Sequence, residues 1–170
     1  NIIVLPNTKN IVLAARQAEA LYTDKPVHVI NTKNIAQGYA ALSVITPGIK
    51  DIDSLVTSAE RAAEGVIDGE ITCAVRDAVV DGKRISMGDY IAISGGNIVA
   101  VEDTPESAVL SMIGATDIDF GEIITLFVGN RVSTQKRAEL TEKLKELYDE
   151  YEITVYEGGQ EVYDYLVAVE

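Results

Sequence analysis

The sequence predicts a layered α/β fold, and three observations carry that prediction. Residues 2–45 alternate short β-branched apolar runs with alanine-rich stretches of helical spacing. Residues 70–102 then read as an antiparallel β-meander that interrupts this pattern. From Thr104 onward the alternation of helix and strand returns.

The first run, IIVL at 2–5, is a buried strand stopped by Pro6. Ile11, Ala15, Ala18 and Tyr22 recur at helical spacing and predict a helix of about 14 residues. Residues 27–30 (VHVI) make a second strand, and IAQGYAALSVI at 35–45 a second helix, closed by Thr46-Pro47-Gly48. A third helix follows, capped by Asp51 or Asp53, with Ile52, Leu55, Val56, Ala59 and Ala63 on its buried side. Strand, helix and strand at this pitch imply parallel pairing.

In the middle, Asp81-Gly82 and Gly95-Gly96 are hairpin turns, since a type I′ turn needs positive φ at both central residues. Three or four antiparallel strands flank them. Thr104 then caps a helix with Pro105 at its first position, running to about Gly114. IITLFV at 123–128 is a buried strand, and Ser133 caps the longest helix, expected to reach about Tyr151. Leu140, Leu144, Leu147, Tyr148 and Tyr151 are its apolar stripe. Strands near 153–156 and 163–169 complete the chain. Five of the eight tyrosines lie between Tyr148 and Tyr165, which reads as core packing with hydroxyls at the surface, or alternatively as an interface.

The 170 residues, 47% hydrophobic, can bury a sizeable core and fit a single domain over residues 1–170. A net charge of −13, with only 14 scattered basic residues, argues against a nucleic-acid partner and against an anionic membrane surface. No apolar run approaches the length of a membrane span, so no membrane insertion is expected. One cysteine, Cys73, allows no internal disulfide and suits the cytoplasm. The opening NIIVLPN, already inside a strand and lacking an initiator Met, reads as a fragment of a longer protein.

Candidate sites are few. The pentapeptide NTKNI occurs twice, at 7–11 and 31–35, each time after a strand and before a helix. Asn7, Thr8, Lys9 and Asn10, and again Asn31, Thr32, Lys33 and Asn34, suit an anion or a partner at a helix N-terminus; they suit plain helix caps equally. Neither copy has the glycines of a nucleotide loop. Arg76 and Asp77 can orient a carboxylate or pair across a hairpin edge. His28, in an apolar strand, reads as a core residue, and Cys73 as a small buried hydrophobe. With one histidine and one cysteine, neither a metal set nor a catalytic triad assembles. Gly158-Gly159 reads as a tight turn before the last strand.

Four stretches together carry a resemblance: IIVLPNTKNIVLAARQA, NTKNIAQGYAALSVITP, AVRDAVVDGKRISMGDYIAIS and YEGGQEVYDYLVAVE. Over essentially the whole chain they resemble the carboxyl-terminal domain of the catalytic component of bacterial fatty acid kinase, a dihydroxyacetone kinase-related family. The chain departs from that family's pattern at Ala36, where proline is usual, and at Asn31-Thr32-Lys33, which usually reads PTK. The resemblance implies a DegV-like fold lacking its first strand and loop. It places ATP and Mg in a kinase domain outside this fragment, with no cofactor here. It also implies a separate DegV-like fatty-acid-binding carrier as partner, whose bound carboxylate the parent kinase phosphorylates. On this reading the chain is a non-catalytic docking module. The alternatives are a fatty-acid or small-anion binder, or a structural domain in a homodimer of the parent protein.

Overall fold

Ile2–Val4 (β1) and Val27–Val29 (β2) pair in parallel, with helix α1 (Lys9–Leu21) connecting them. The computed structural model that shows this describes residues 1–46, 48, 51–80, 82–116 and 123–170. Pro47 of the predicted helix stop and Asp81 of the first hairpin turn lie outside the described residues. The chain divides into two compact units, Asn1–Val66 and Ile67–Glu170.

In the first unit, α2 (Ile35–Ser43) packs on α3 (Ile52–Gly65). Ala41, Ala59 and Ala63 let the two backbones approach, and with Ile30 they form a small core lined by Ile3, Leu5, Ile45 and Val56. Asp51 caps α3 by accepting the N–H groups of Asp53 and Ser54, and Leu55, Ala59 and Ala63 are its buried face. The apolar positions that predict α1 stay open instead. No residue of α1 is buried, and Ile11, Leu13 and Leu21 are 51%, 71% and 81% exposed. His28 is half-buried rather than a core residue, with Nε2 3.4 Å from Asn1 Oδ1.

The second unit contains, in chain order, β3 (Ile67–Cys73), β4 (Ala78–Val80), β5 (Lys83–Ile85), β6 (Tyr90–Ser94), β7 (Asn97–Glu102), α4 (Pro105–Gly114), β8 (Ile123–Val128), α5 (Thr134–Leu147), β9 (Glu152–Glu157) and β10 (Tyr165–Val169). Six strands form one mixed sheet in the order β7–β6–β3–β10–β8–β9, while β4 and β5 make a separate hairpin. The meander is therefore no separate layer: β3, β6 and β7 are half of the main sheet. Only β8 and β9 are parallel, joined through α5, and the other neighbours are antiparallel. The turn at Gly95-Gly96 has φ of 58° and 84°, as a type I′ turn requires.

Tyr165–Val169 is buried at every position because it lies between β3 and β8. Val109, Met112 and Ile113 of α4 fill one side of this sheet together with Ile71, Ile124, Leu126 and Val167, each contributing about 1.5–3 kcal/mol by leaving water. Thr104 caps α4 and Ser133 caps α5, both through their hydroxyls. Helix α5 ends earlier than its apolar stripe suggests. Leu140 and Leu144 are buried, but Leu147 is 58% exposed, and Tyr148 and Tyr151 pack on the core from beyond the helix end.

Candidate docking surfaces

The two NTKN loops meet in the first unit. Asn7 sits in the left-handed region at φ 54°, a conformation asparagine tolerates better than most residues. Its N–H donates to Thr32 Oγ1 at 3.1 Å, and Thr32 is fully buried. Its side-chain amide lies in the notch left by Gly38 of α2, where any Cβ would collide with it. Asn7 and Thr32 thus stitch one loop to the other, although Asn7 Oδ1 is buried without a hydrogen-bond partner.

The two copies of the motif differ in their helix ends. Asn34 Oδ1 accepts from Gln37 N–H at 2.8 Å while Gln37 Oε1 accepts from Lys33 N–H at 2.8 Å, a reciprocal cap of α2. Thr8 occupies the cap position of α1 with no side-chain cap bond. Thr8, Lys9, Asn10, Asn31 and Lys33 are left exposed. Beside the loops, Glu19 of α1 reaches across to accept Val29 N–H at 2.9 Å, covering the outer edge of β2. This hydrogen bond, aided by Arg16, holds the Glu19 carboxyl below the usual carboxylate range.

Arg76 and Asp77 lie in the second unit, at the base of the β4–β5 hairpin. Asp77 Oδ1 accepts from Met87 N–H at 2.7 Å, and Asp89 Oδ2 from Ser86 N–H at 2.7 Å. Arg76 is exposed and forms no ion pair with a described residue. Asp77 thus pairs across the base of the hairpin, as an edge residue does, whereas Arg76 has no hydrogen bond or ion pair to a described residue.

A cleft of about 220 Å³ opens at the carboxyl ends of β8 and β9, lined by Val128, Gly129, Asn130, Val132, Thr134, Arg137, Glu157 and Gly159. The N-terminus of α5 faces it, but Glu157 already pairs with Arg137 at 2.7 Å. Gly158 and Gly159 both donate to Val128 O, tying the chain to the end of β8 just past β9 rather than forming a local turn bond of their own.

Sequence reading missed one polar cluster. Asp164 is only 5% exposed, with Oδ1 3.5 Å from Arg131 Nε and Oδ2 lacking any partner. Burial pushes its carboxyl above the usual range, against the pull of Arg131. Tyr165, fully buried, donates its hydroxyl to Glu106 Oε1 at 3.3 Å, and Glu106 pairs with Lys136 at 3.3 Å. The signal available was an aspartate between two tyrosines at the start of the apolar run YDYLVAV; the Tyr165 hydroxyl points inward rather than to the surface. Cys73 is half-buried. Among the described residues no group of three or more His, Cys, Asp or Glu is placed to hold a metal ion, and no helix is long and apolar enough to cross a membrane.

Comparison with known proteins gives a consistent picture. The family model for the FakA-like C-terminal domain of fatty acid kinase matches residues 1–170. Protein YloV of Bacillus subtilis (strain 168) is 32% identical over 169 residues, covering 99% of this chain. An uncharacterized protein of Staphylococcus haemolyticus is 34% identical over 170 residues, also covering 99% of this chain. The chain spans 30% of the length of either relative. Among solved structures, the Streptococcus pneumoniae fatty acid kinase B3 protein loaded with linoleic acid superimposes with TM-score 0.66 at 16% identity, over 100% of this chain and 71% of that one. A DegV family protein from Corynebacterium glutamicum gives 0.63 at 16%, covering 99% and 73%. The dihydroxyacetone kinase of C. freundii gives 0.57 at 15%, covering 98% and 38%. At such identities the likeness is one of fold.

Proposed function

This chain belongs to the FakA-like C-terminal family of fatty acid kinases, and on that premise we propose that it is a non-catalytic module that docks the acyl-carrying, DegV-like partner of a fatty acid kinase. The observation that carries the reading is α1: a helix of 13 residues with none buried, leaving Ile11, Leu13 and Leu21 exposed along its length, its first turn following the first of the stitched NTKN loops. Apolar side chains left open on a well-formed helix are the raw material of a protein contact. Phosphoryl transfer depends chiefly on positioning and on stabilising charge, so a docking module can govern the reaction without touching it. ATP and Mg would be held by another domain of the parent protein, in a cytoplasmic setting.

The stitched loops fit this role as a rigid platform. Asn7, Thr32 and Asn34 are consumed in holding the loops to α2, and Lys9 and Lys33 remain at the surface for a partner. Calorimetric titration of the chain with a fatty-acid-loaded DegV-like carrier tests the reading. Micromolar or tighter binding is expected, weakened about tenfold or more by Leu13→Glu with Leu21→Glu, and weakened also by Lys9→Ala with Lys33→Ala. Binding that survives both changes would return α1 and the loops to a structural role. An absence of binding would sink the docking function and favour a domain that serves only assembly of the parent protein.

A further inference from the structure

The two outer edges of the main sheet are not treated alike. At β7, Lys83 Nζ donates to Ile98 O at 2.7 Å and to Val99 O at 3.1 Å, so a side chain occupies carbonyls of that strand. The opposite edge is β9, hydrogen-bonded to β8 on one side and to no other described strand. Just past its end, Gly158 N–H donates to Val128 O at 3.0 Å. Alternate residues of a strand face the same neighbour, so Glu152, Thr154 and Tyr156 bond to β8 through their backbones. The amides and carbonyls of Ile153, Val155 and Glu157 therefore point outward, and none of them has a hydrogen bond among the described contacts.

The side chains of β9 follow the same alternation. Ile153 and Val155 pack on the core, and Glu157 reaches Arg137 of α5 at 2.7 Å. Glu152, Thr154 and Tyr156 lie on the other face. The strand is β-branched at its centre and acidic around it. From residue 149 to residue 161 the chain carries Asp149, Glu150, Glu152, Glu157 and Glu161, all exposed, and no Lys, Arg or His. The helix before the strand does little to offset them. Of its four cations, Lys136, Arg137 and Lys145 are already in ion pairs with Glu106, Glu157 and Glu142, and Lys143 has no described ion pair. Arg137 thus offsets Glu157, while Asp149, Glu150, Glu152 and Glu161 are in no described ion pair.

We infer that the outer edge of β9 takes up a strand from a protein partner, an extended segment with a β-branched centre flanked by lysine or arginine. The outward amides and carbonyls of Ile153, Val155 and Glu157 supply the main-chain bonds of such an addition, and the acidic flanks supply its selectivity. Charge decides the occupant. Two copies meeting edge to edge about a twofold pair antiparallel, which lays residues 149–161 alongside themselves and sets five carboxylates against five with no cation between. Charges of this kind guard an edge against self-association, and the same charges attract a basic strand. The inference concerns the second unit and goes beyond docking through α1, which lies in the first.

The probe is an end-blocked peptide, KKVTVTVKK, with EEVTVTVEE as its charge-reversed counterpart, and the readout is amide hydrogen exchange. In the chain alone the Ile153 and Val155 amides should exchange fast. Millimolar KKVTVTVKK should slow both by about tenfold or more, and EEVTVTVEE should leave them unchanged. Added salt should weaken the effect, and Glu150→Lys with Glu152→Lys should weaken peptide binding by about tenfold. Both glutamates are exposed, so urea unfolding of that variant should match the unaltered chain. If KKVTVTVKK protects neither amide, the inference falls and the carboxylates only guard the edge. Equal protection by the two peptides removes the selection by charge and overturns it as well. Slow exchange in the dilute chain alone would mean that the edge is already covered, and slowing that grows with chain concentration would make the occupant a second copy; either result also overturns it. Failure of the acyl carrier to bind bears on α1 and not on this edge.

Discussion

Replacing Gly129 by alanine should unfold the end of the main sheet. A Cβ at this position would fall well inside contact distance of the Tyr163 carbonyl oxygen, 3.0 Å from Gln160 O and 3.1 Å from Asp164 O. These are three backbone atoms, so no side-chain rotation relieves the clash. The segment leading into β10 must move away, and it is held by Gly129 N–H to Asp164 O at 2.8 Å and Asn130 N–H to Gln160 O at 3.1 Å. Each of these bonds contributes about 0.5–1.5 kcal/mol, and overpacking against a rigid wall costs about 1–3 kcal/mol. The expected loss is therefore about 2–4 kcal/mol, with some overlap between the two effects. Urea unfolding followed by circular dichroism reads it directly. Gly114→Ala is the internal control: it sits at the end of α4, and its added Cβ would meet nothing nearer than the Tyr148 hydroxyl at 4.0 Å. That change should be neutral or stabilising by up to about 1 kcal/mol. If Gly129→Ala costs less than about 0.5 kcal/mol, the packing of the Gln160–Asp164 segment against β8 is not as rigid as the clash requires.

Other tests follow from single contacts. Asn34→Ala should cost about 1 kcal/mol of stability, whereas Thr8→Ala should be near neutral because its hydroxyl caps nothing; equal losses in urea unfolding would contradict the contrast between the loops. Glu19→Ala should accelerate hydrogen exchange at the Val29 amide, whose acceptor it removes, and an unchanged rate would mean another group covers that edge. Burial raises the carboxyls of Asp164, Glu70 and Glu170 above their unfolded values. Their contribution is fully present below the ordinary carboxylate range and is lost as pH rises through the raised values, so stability of the second unit should decline over that window. Asp164→Asn should flatten this decline in unfolding measured across pH, and an unchanged slope would show that Arg131 offsets the buried charge.

Local chemistry was enough to establish the alternation of elements and most of their ends. Thr104-Pro105, Ser133, Asp51 and Gly95-Gly96 act through bonds or torsions within a few residues, and each appears in the structure in the role its type predicts. The parallel pairing of the first βαβ unit was legible for the same reason. Tertiary structure alone decided how the strands combine. β10, last in sequence, enters between β3 and β8, so the meander becomes half of a mixed sheet, a non-local pairing that leaves no periodic trace.

The same division runs through the candidate sites. Two identical pentapeptides read alike in sequence, yet one asparagine caps α2 while the other fills the notch at Gly38, because each is placed by its neighbours in space. Helical spacing predicted α1 but not that it would remain uncovered, since periodicity reports a face and not what lies against it. Asp164 and Glu106 are far apart in sequence and become electrostatic neighbours around Tyr165 only when the sheet and α4 pack together. Burial and charge pairing are properties of the assembled chain, and they separate the Arg76 and Arg84 left open on the hairpin from the Arg131 and Arg137 already in ion pairs.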